Sequence, residues 1–343
     1  MIESSLITPK RSPEDFAAEK SLRPTALDEF VGQTELVANL RVYIEAARRR
    51  EGPLDHVLLF GPPGLGKTTL AHIIASELGS TIKLASGPVL DRPADLAGIL
   101  TNLADRDVLF VDEVHRMNNS VEEYLYAAME DFRIDIMLDK GPNSRTVQLT
   151  LQPFTLIGAT TRLGNLTSPL RDRFGVTLRV DFYPPNDLQK IILRSARLLG
   201  IPIDDEAAGV IARRSRGTPR IANRILRRAR DFAEVEGTGH LDTASTEQAL
   251  GRLGIDDLGL DEMDRRILRN LAEQFGGGPV GVETMAVALH ETSRTLEEVY
   301  EPYLIKEGFL QRTPRGRTAT ERTYEYLNIE RPARSGQAQT KIF

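Results

Sequence analysis

The chain has 343 residues and a net charge of −5, from 44 Lys+Arg against 49 Asp+Glu. That length exceeds what one hydrophobic core usually serves, so two or three domains are expected. The absence of cysteine excludes disulfides, thiolate-ligated zinc and thiol catalysis; no apolar run reaches the roughly 18–20 residues of a membrane span, the N-terminus lacks the apolar stretch of a signal peptide, and the expectation is a cytoplasmic protein.

Residues 1–20 are polar, carry two prolines and show no periodicity, so they read as a loose arm. From about residue 21 to 183, short apolar runs alternate with helical spacing. The runs HVLLF at 56–60, DVLFV at 107–111 and FTLIG at 154–158 have the near-continuous apolar character of buried parallel strands. Between them, Leu70, Ile73, Ile74 and Leu78 recur at helix spacing. The expected fold class is therefore α/β, with a doubly wound parallel sheet. Within it, RIDIML at 133–138 and TVQLTL at 146–151 alternate around a polar turn and predict a β-hairpin projecting from the sheet, about 133–151.

Pro184 and Pro185 follow Tyr183 and mark a stiff domain junction. Residues 184–254 read as a small helical domain. One helix, about 219–234, puts Ile221, Ile225, Ala229, Phe232 and Ala233 on one face and arginines around the rest. Residues 257–330 read as helix, helix, helix, hairpin. Asp261, Glu262 and Asp264 suit a first helical turn, a third helix runs near 294–306, and short strands flank the tip at Pro314, Arg315 and Gly316. That order is the outline of a winged helix. Residues 331–343 read as a disordered tail.

The segment GPPGLGKT at 61–68 fits G-x-x-x-x-G-K-[ST], with a strand before it and a helix after it. Glycines such as Gly64 and Gly66 let backbone amides approach phosphate oxygens, and the helix N-terminus adds its positive end. Lys67 is then expected to reach the β- and γ-phosphates, and the Thr68 hydroxyl to ligate Mg²⁺. DVLFVDEVH at 107–115 is a buried strand ending in two carboxylates. Asp112 suits the Mg²⁺ shell, and Glu113 suits acceptance of a proton from an attacking water. A polar residue in GATTR at 158–162 can orient that water. Only eight of the basic residues are lysines; the rest are arginines. An arginine supplied to a bound triphosphate stabilises charge in the transition state, and Arg171, Arg173 and Arg220 stand in segments where this chemistry could be needed.

These stretches, with LDEFVGQ at 27–33, RDRFG at 171–175, RGTPRIANR at 216–224, GPVG at 278–281 and GFLQRTPRGR at 308–317, resemble the RuvB family over about residues 21–328. Its members are bacterial Holliday junction branch migration motors of the AAA+ class. The resemblance implies an ATP hydrolase that pumps duplex DNA in recombination and repair. It implies binding of ATP, ADP and Mg²⁺, the metal through Thr68 and Asp112. The catalytic set would be Lys67, Asp112, Glu113, Thr161 as first sensor, Arg173 as an arginine finger reaching a neighbour's ATP, and Arg220 as second sensor. Gly64, Gly66 and Thr69 would also meet the nucleotide, as would Leu22, Arg23 and Tyr183 from the domain junction and the stretch Glu130, Asp131, Phe132. The hairpin would dock on RuvA, and Arg312 and Arg317 would contact DNA. The implied partners are duplex DNA at Holliday junctions, RuvA, RuvC and further copies in a homohexameric ring, with no membrane. The hairpin turn at 138–145 and Ser293 depart from the family pattern.

Between Lys306 and Arg322 there are five basic and two acidic residues, so positive charge concentrates at the wing. Arginines on a hairpin tip can follow a phosphate backbone without reading bases. A clamp-loader-like or protein-remodelling AAA+ ATPase, or a non-hydrolysing scaffold, are the alternatives. The winged helix argues against the first, which would end in a helical collar; stimulation of ATP hydrolysis by DNA rather than by unfolded protein separates the second; and the presence of Glu113 with Arg173 argues against the third.

Overall fold

The computed structural model describes residues 21–137 and 146–331. The expected arm (1–20), the hairpin turn (138–145) and residues 332–343 of the expected tail lie outside the described residues. The chain divides into two compact units. Within the described residues, one takes 21–201 and 217–223, the other 202–216 and 224–331. Among the described residues no helix is long and apolar enough to cross a membrane.

The first unit is built on strands β1 (Val57–Phe60), β2 (Ile82–Ser86), β3 (Val108–Asp112), β4 (Arg133–Met137), β5 (Thr146–Thr150), β6 (Thr155–Thr160) and β7 (Val176–Arg179). Five of them form one parallel sheet in the order β2-β3-β6-β1-β7. The three strands expected from apolar runs are its central ones, β1, β3 and β6, and β6 is buried throughout. The edge strands β2 and β7 have no such run. Lys83 and Leu84 of β2 are exposed, and β7 alternates buried with exposed residues. An edge strand buries less of itself, so the continuous apolar signature fades.

Leu58, Leu109, Val111 and Leu156 share one sheet face, where they pack with Leu96 and Leu100 of the helix Pro93–Leu100 and Val121 and Leu125 of the helix Asn119–Asp131. The helix Lys67–Leu78 packs against β3 and β6. Helices on a mostly parallel sheet are the layered solution that buries both faces. β4 and β5 stand apart from the sheet as an antiparallel pair, running from Arg133 opposite Thr150 to Met137 opposite Thr146.

The second unit contains the helices Asp205–Arg214 and Thr243–Arg252 and most of Pro219–Glu236, followed by a winged helix. Asp261 caps the helix Glu262–Arg269, its carboxylate accepting the Asp264 N–H at 3.0 Å. That helix runs on into a π turn at Asn270–Gln274. After the helix Val282–Leu289, the third helical segment extends from Ser293 to Lys306, but its middle, Leu296–Tyr300, is a π turn rather than an α-helix. β8 (Leu310–Thr313) and β9 (Gly316–Ala319) form the wing. Leu260, Ile267, Leu271, Leu289, Tyr300 and Phe309 are among its core residues.

One buried cation links residue 216 to the winged helix within this unit. Arg216 adopts a left-handed backbone (φ 57°) and donates Nε to the Gly259 carbonyl at 2.7 Å. Its remaining donors pair with the fully buried Asp264, and its guanidinium lies 5.0 Å from the Tyr303 ring centre.

Candidate nucleotide site and wing

The chain leaves β1 at Phe60 and turns at once. A Cβ on Gly61 (φ 142°) would fall 2.1 Å from the Val180 carbonyl oxygen, so only glycine fits. Gly64 (φ 80°) lies under a second segment: a Cβ there would stand 2.8 Å from Thr218 Cγ2 and 3.2 Å from Arg220 Cβ. Gly66 caps the helix Lys67–Leu78. The first N–H groups of that helix have no intrahelical partner, and with the positive end of the dipole they make the loop a cradle for anions. Lys67 is buried, and its ammonium donates to the carbonyls of Gly61 at 2.7 Å and Pro62 at 2.8 Å. Burial lowers its pKa to about 8; Asp112 opposes that shift and Arg220 adds to it. Thr68 and Thr69 follow, half-buried.

Pairing brings the acidic strand end to the same place. β6 lies between β3 and β1, with Val111 opposite Gly158 and Phe60 opposite Thr160. Asp112, Thr161 and Gly61 therefore gather at the C-terminal edge of the sheet, where open α/β sheets bind ligands. Asp112 Oδ1 accepts the Glu113 N–H at 2.9 Å. Glu113 has a left-handed backbone (φ 49°), and its carboxylate pairs with Arg116 at 2.6 Å. Such a conformation in a non-glycine residue is strained and needs support. Gly87 supplies room for it, since a Cβ there would lie 2.4 Å from the Glu113 carbonyl oxygen. Sequence reading missed Gly87, which follows Ser86 at the end of the edge strand β2. Thr160, just before Thr161, stands 2.9 Å from His115 Nδ1 and accepts the Arg162 N–H at 3.0 Å.

Other expected contacts lie around this loop. The buried Tyr183 donates its N–H to the Gly217 carbonyl at 2.9 Å and its hydroxyl to the Leu65 carbonyl at 3.2 Å. Burial raises its phenol pKa. Phe30, not foreseen, stands 3.6 Å from where a Gly66 Cβ would be. Leu22 is buried and tied by its carbonyl to Arg194 at 2.8 Å, with Arg23 partly buried beside it. Among the described residues no group of three or more His, Asp or Glu side chains is placed to hold a metal by itself. Thr68 and Asp112 offer a hydroxyl and a carboxylate at the loop, which suits Mg²⁺ shared with phosphate oxygens.

A second cluster sits at the other edge of the sheet. Phe132 packs edge-on against His56 (6.5 Å) and Phe154 (5.8 Å), where β1 and β6 begin. Arg173 precedes β7, whose Val176 is opposite Val57, also at the start of β1. Arg173 pairs with Glu130 at 3.0 Å, and Asp131 pairs with Arg133 at 2.9 Å. Glu130, Asp131, Phe132 and Arg173 are thus separated from the phosphate loop by the length of β1, roughly 13 Å at about 3.3 Å per residue.

At the wing, Arg312 and Arg317 are directly opposite across β8 and β9. Their environments differ. Arg312 is exposed (60%) and touches Glu297 at 3.2 Å. Arg317, expected to face DNA, is buried (7%). It donates Nε to Glu301 Oε1 at 2.7 Å and Nη2 to Glu301 Oε2 at 3.2 Å and Glu297 Oε1 at 2.8 Å. A phosphate would have to displace a carboxylate to reach it. Arg315, at the tip, is exposed.

Three family descriptions match the chain in succession: "Holliday junction DNA helicase RuvB P-loop domain" over residues 22–180, "RuvB AAA lid domain" over 183–256 and "RuvB C-terminal winged helix domain" over 257–328. The Holliday junction branch migration complex subunit RuvB of Myxococcus xanthus is 60% identical over 320 residues, covering 93% of each chain. The subunit of the same name from Salinibacter ruber is 59% identical over 319 residues, again covering 93% of each. Among solved structures, the Thermotoga maritima RuvB Holliday junction branch migration motor superposes with a TM-score of 0.83 at 52% identity, covering 91% of this chain and 100% of that one.

Proposed function

The chain belongs to the RuvB family, and on that premise we propose that it is the ATP-driven subunit of a Holliday junction branch migration complex, working as a ring of identical subunits on duplex DNA with RuvA. The observation that carries the ring is the placement of two half-sites at opposite edges of one sheet. Lys67, Asp112, Glu113 and Thr161 stand at the C-terminal edge, Arg173 and Glu130 at the N-terminal edge. Roughly 13 Å of strand is farther than an arginine side chain extends. A finger on the far edge serves a nucleotide held by another subunit.

In this reading the triphosphate lies on the loop amides and the helix start. Lys67 leaves the Gly61 and Pro62 carbonyls for the β- and γ-phosphate oxygens. Thr68 and Asp112 would hold Mg²⁺, which would offset phosphate charge. Glu113 accepts a proton from the attacking water as the new P–O bond forms and the bond to ADP breaks. Thr161 orients that water, and Arg220, already beside Gly64, senses the γ-phosphate. Leu22, Arg23 and Tyr183 enclose the rest of the nucleotide, while Glu130, Asp131 and Phe132 face the neighbour's. Backbone contact with DNA falls on the exposed Arg312 and Arg315, Arg317 holding the hairpin in place. The β4–β5 hairpin, with Val147 exposed, docks RuvA, and RuvC joins the larger complex.

The test is branch migration of a synthetic four-way junction with and without RuvA. ATP-dependent migration, stimulated by RuvA and lost in Glu113→Gln, is expected. Vigorous ATP hydrolysis without any junction movement in the presence of RuvA would sink the proposal.

A further inference from the structure

Arg173 does not stand free in its own subunit. Its guanidinium carbon lies 4.5 Å from the centre of the Tyr126 ring. Nη1 donates to the Pro169 carbonyl at 2.7 Å, and Nη2 pairs with Glu130 at 3.0 Å. Nε is buried with no hydrogen-bond partner among the described residues. A cation over an aromatic face is held in orientation as well as attracted.

Tyr126 is itself fixed at its far end. Its hydroxyl donates to Glu122 Oε1 at 2.7 Å and lies 3.1 Å from Thr167 Oγ1. Glu122 is buried, and the Thr167 hydroxyl donates to the same carboxylate oxygen. Thr167 in turn caps the turn Ser168–Arg171, accepting the Leu170 N–H at 3.4 Å. That turn leads straight to Arg173. One buried carboxylate therefore fixes both the ring under the arginine and the start of the segment that bears it. No role falls to Tyr126 in the sequence, where it is only an aromatic residue in a helical stretch.

We propose that Tyr126 is a positioning residue for Arg173: its ring, anchored through Glu122 and Thr167, sets the plane in which the guanidinium meets a neighbouring subunit's triphosphate. The inference rests on Arg173 acting in trans. A long side chain loses much rotamer freedom when ordered, and a donor aimed in advance stabilises transition-state charge better than one that must be ordered during reaction.

The experiment compares steady-state ATP hydrolysis by full-length Tyr126→Leu, Tyr126→Phe and Arg173→Ala, with ATP affinity measured on the same preparations. Tyr126→Leu should lower kcat roughly tenfold, the scale of a partly desolvated cation–π contact. KM and ATP affinity should stay within about twofold, because each subunit's own phosphate loop is untouched. Tyr126→Phe keeps the ring but loses the hydroxyl anchor, so its kcat should fall between those of the wild type and Tyr126→Leu. Should Tyr126→Leu fail to bind ATP, Tyr126→Met takes its place at closer volume. Mixing Tyr126→Leu with Lys67→Ala subunits should give more hydrolysis than the two preparations separately. The leucine variant lends an intact pocket and the alanine variant an intact finger, whereas a defect confined to its own subunit would not be complemented.

Wild-type kcat in Tyr126→Leu, equal loss in Tyr126→Phe, or no recovery on mixing would overturn the inference. If Arg173→Ala itself hydrolyses ATP normally, the trans reading of Arg173 has failed. If Arg173→Ala is inactive while Tyr126→Leu is normal, only the role of Tyr126 has failed.

Discussion

Lys67 and Arg317 are both buried cations, and they are buried in opposite ways. Lys67 rests on two backbone carbonyls at the mouth of a glycine-lined loop, and among the described residues no carboxylate is ion-paired with it. Arg317 is closed by Glu301 on one side and Glu297 on another. Taking a charge out of water is unfavourable unless something compensates it. In the first case the compensation is partial, which lowers the lysine pKa and leaves a site that gains when an anion arrives. In the second it is complete, which makes a rigid joint. A basic residue in a functional segment is therefore not yet a ligand contact; what matters is whether its partner is already present.

The comparison is broken most severely at the phosphate loop. Glu113→Gln should bind ATP but hydrolyse it about 10³-fold more slowly, within the range for loss of a general base. Lys67→Ala should lose at least about a hundredfold in hydrolysis, as expected for removing a donor aimed at developing charge. In both, the thermal unfolding temperature should hold, because among the described residues Lys67 completes no buried ion pair and Glu113 pairs with Arg116 near the surface. A large fall in unfolding temperature for Lys67→Ala would mean that the lysine is a structural element like Arg317.

The wing gives the reverse pattern. Arg317→Ala leaves Glu301, only 3% exposed, without its partner, and should lower stability by about 3 kcal/mol, the scale of breaking a buried pair. Arg312→Ala removes an exposed pair and should change stability by less than about 1 kcal/mol. Its effect belongs to DNA: binding weakens on all sequences alike, and the slope of log affinity against log salt falls by about one. Calorimetric unfolding and salt titrations on the two variants separate the roles. Unchanged stability with lost DNA affinity in Arg317→Ala would restore it as a direct contact.

How far each feature was legible follows from the same physics. The phosphate loop could be read because its work is done by backbone, and backbone needs appear as glycines at fixed spacing before a helix. β1, β3 and β6 could be read because both their faces are buried. β2 and β7 could not, since Lys83 and Leu84 are exposed and β7 alternates. The roles of Arg173 and Glu130 came from family resemblance. Their shared position at the far edge of the sheet is a tertiary fact that no local pattern carries. Arg312 and Arg317 look equivalent in sequence and even face one another across the hairpin. Only the helical segment beneath, with Glu297 and Glu301, distinguishes them. The roles of Arg216 and Tyr126 left no local signal, because each works through a partner distant in sequence, Asp264 and Arg173.

The effect that most sharpens the contrast is on pH. Burial holds Lys67 near pKa 8, against 10.5 for a free lysine. Below pH 8 the ammonium is already formed and nucleotide affinity should be flat. Above pH 8 the free protein loses the proton, and binding a polyphosphate must draw it back. The dissociation constant for ATP should therefore rise about tenfold between pH 7 and pH 9, since one pKa unit corresponds to about 1.4 kcal/mol. The sign for stability is opposite. Between the folded value near 8 and the unfolded value of 10.5 the unfolded chain holds more protons, so this group makes the nucleotide-free protein more stable as pH rises through that window. Calorimetric titrations of ATP in buffers of different ionisation enthalpy measure the proton uptake directly, and uptake should appear only above about pH 7.5. Arg317 gives no such signal, because its guanidinium stays charged across the same range. A flat dissociation constant from pH 7 to pH 9.5 would mean that Lys67 keeps its charge in the empty loop, and that the carbonyls of Gly61 and Pro62 compensate it as fully as carboxylates compensate Arg317.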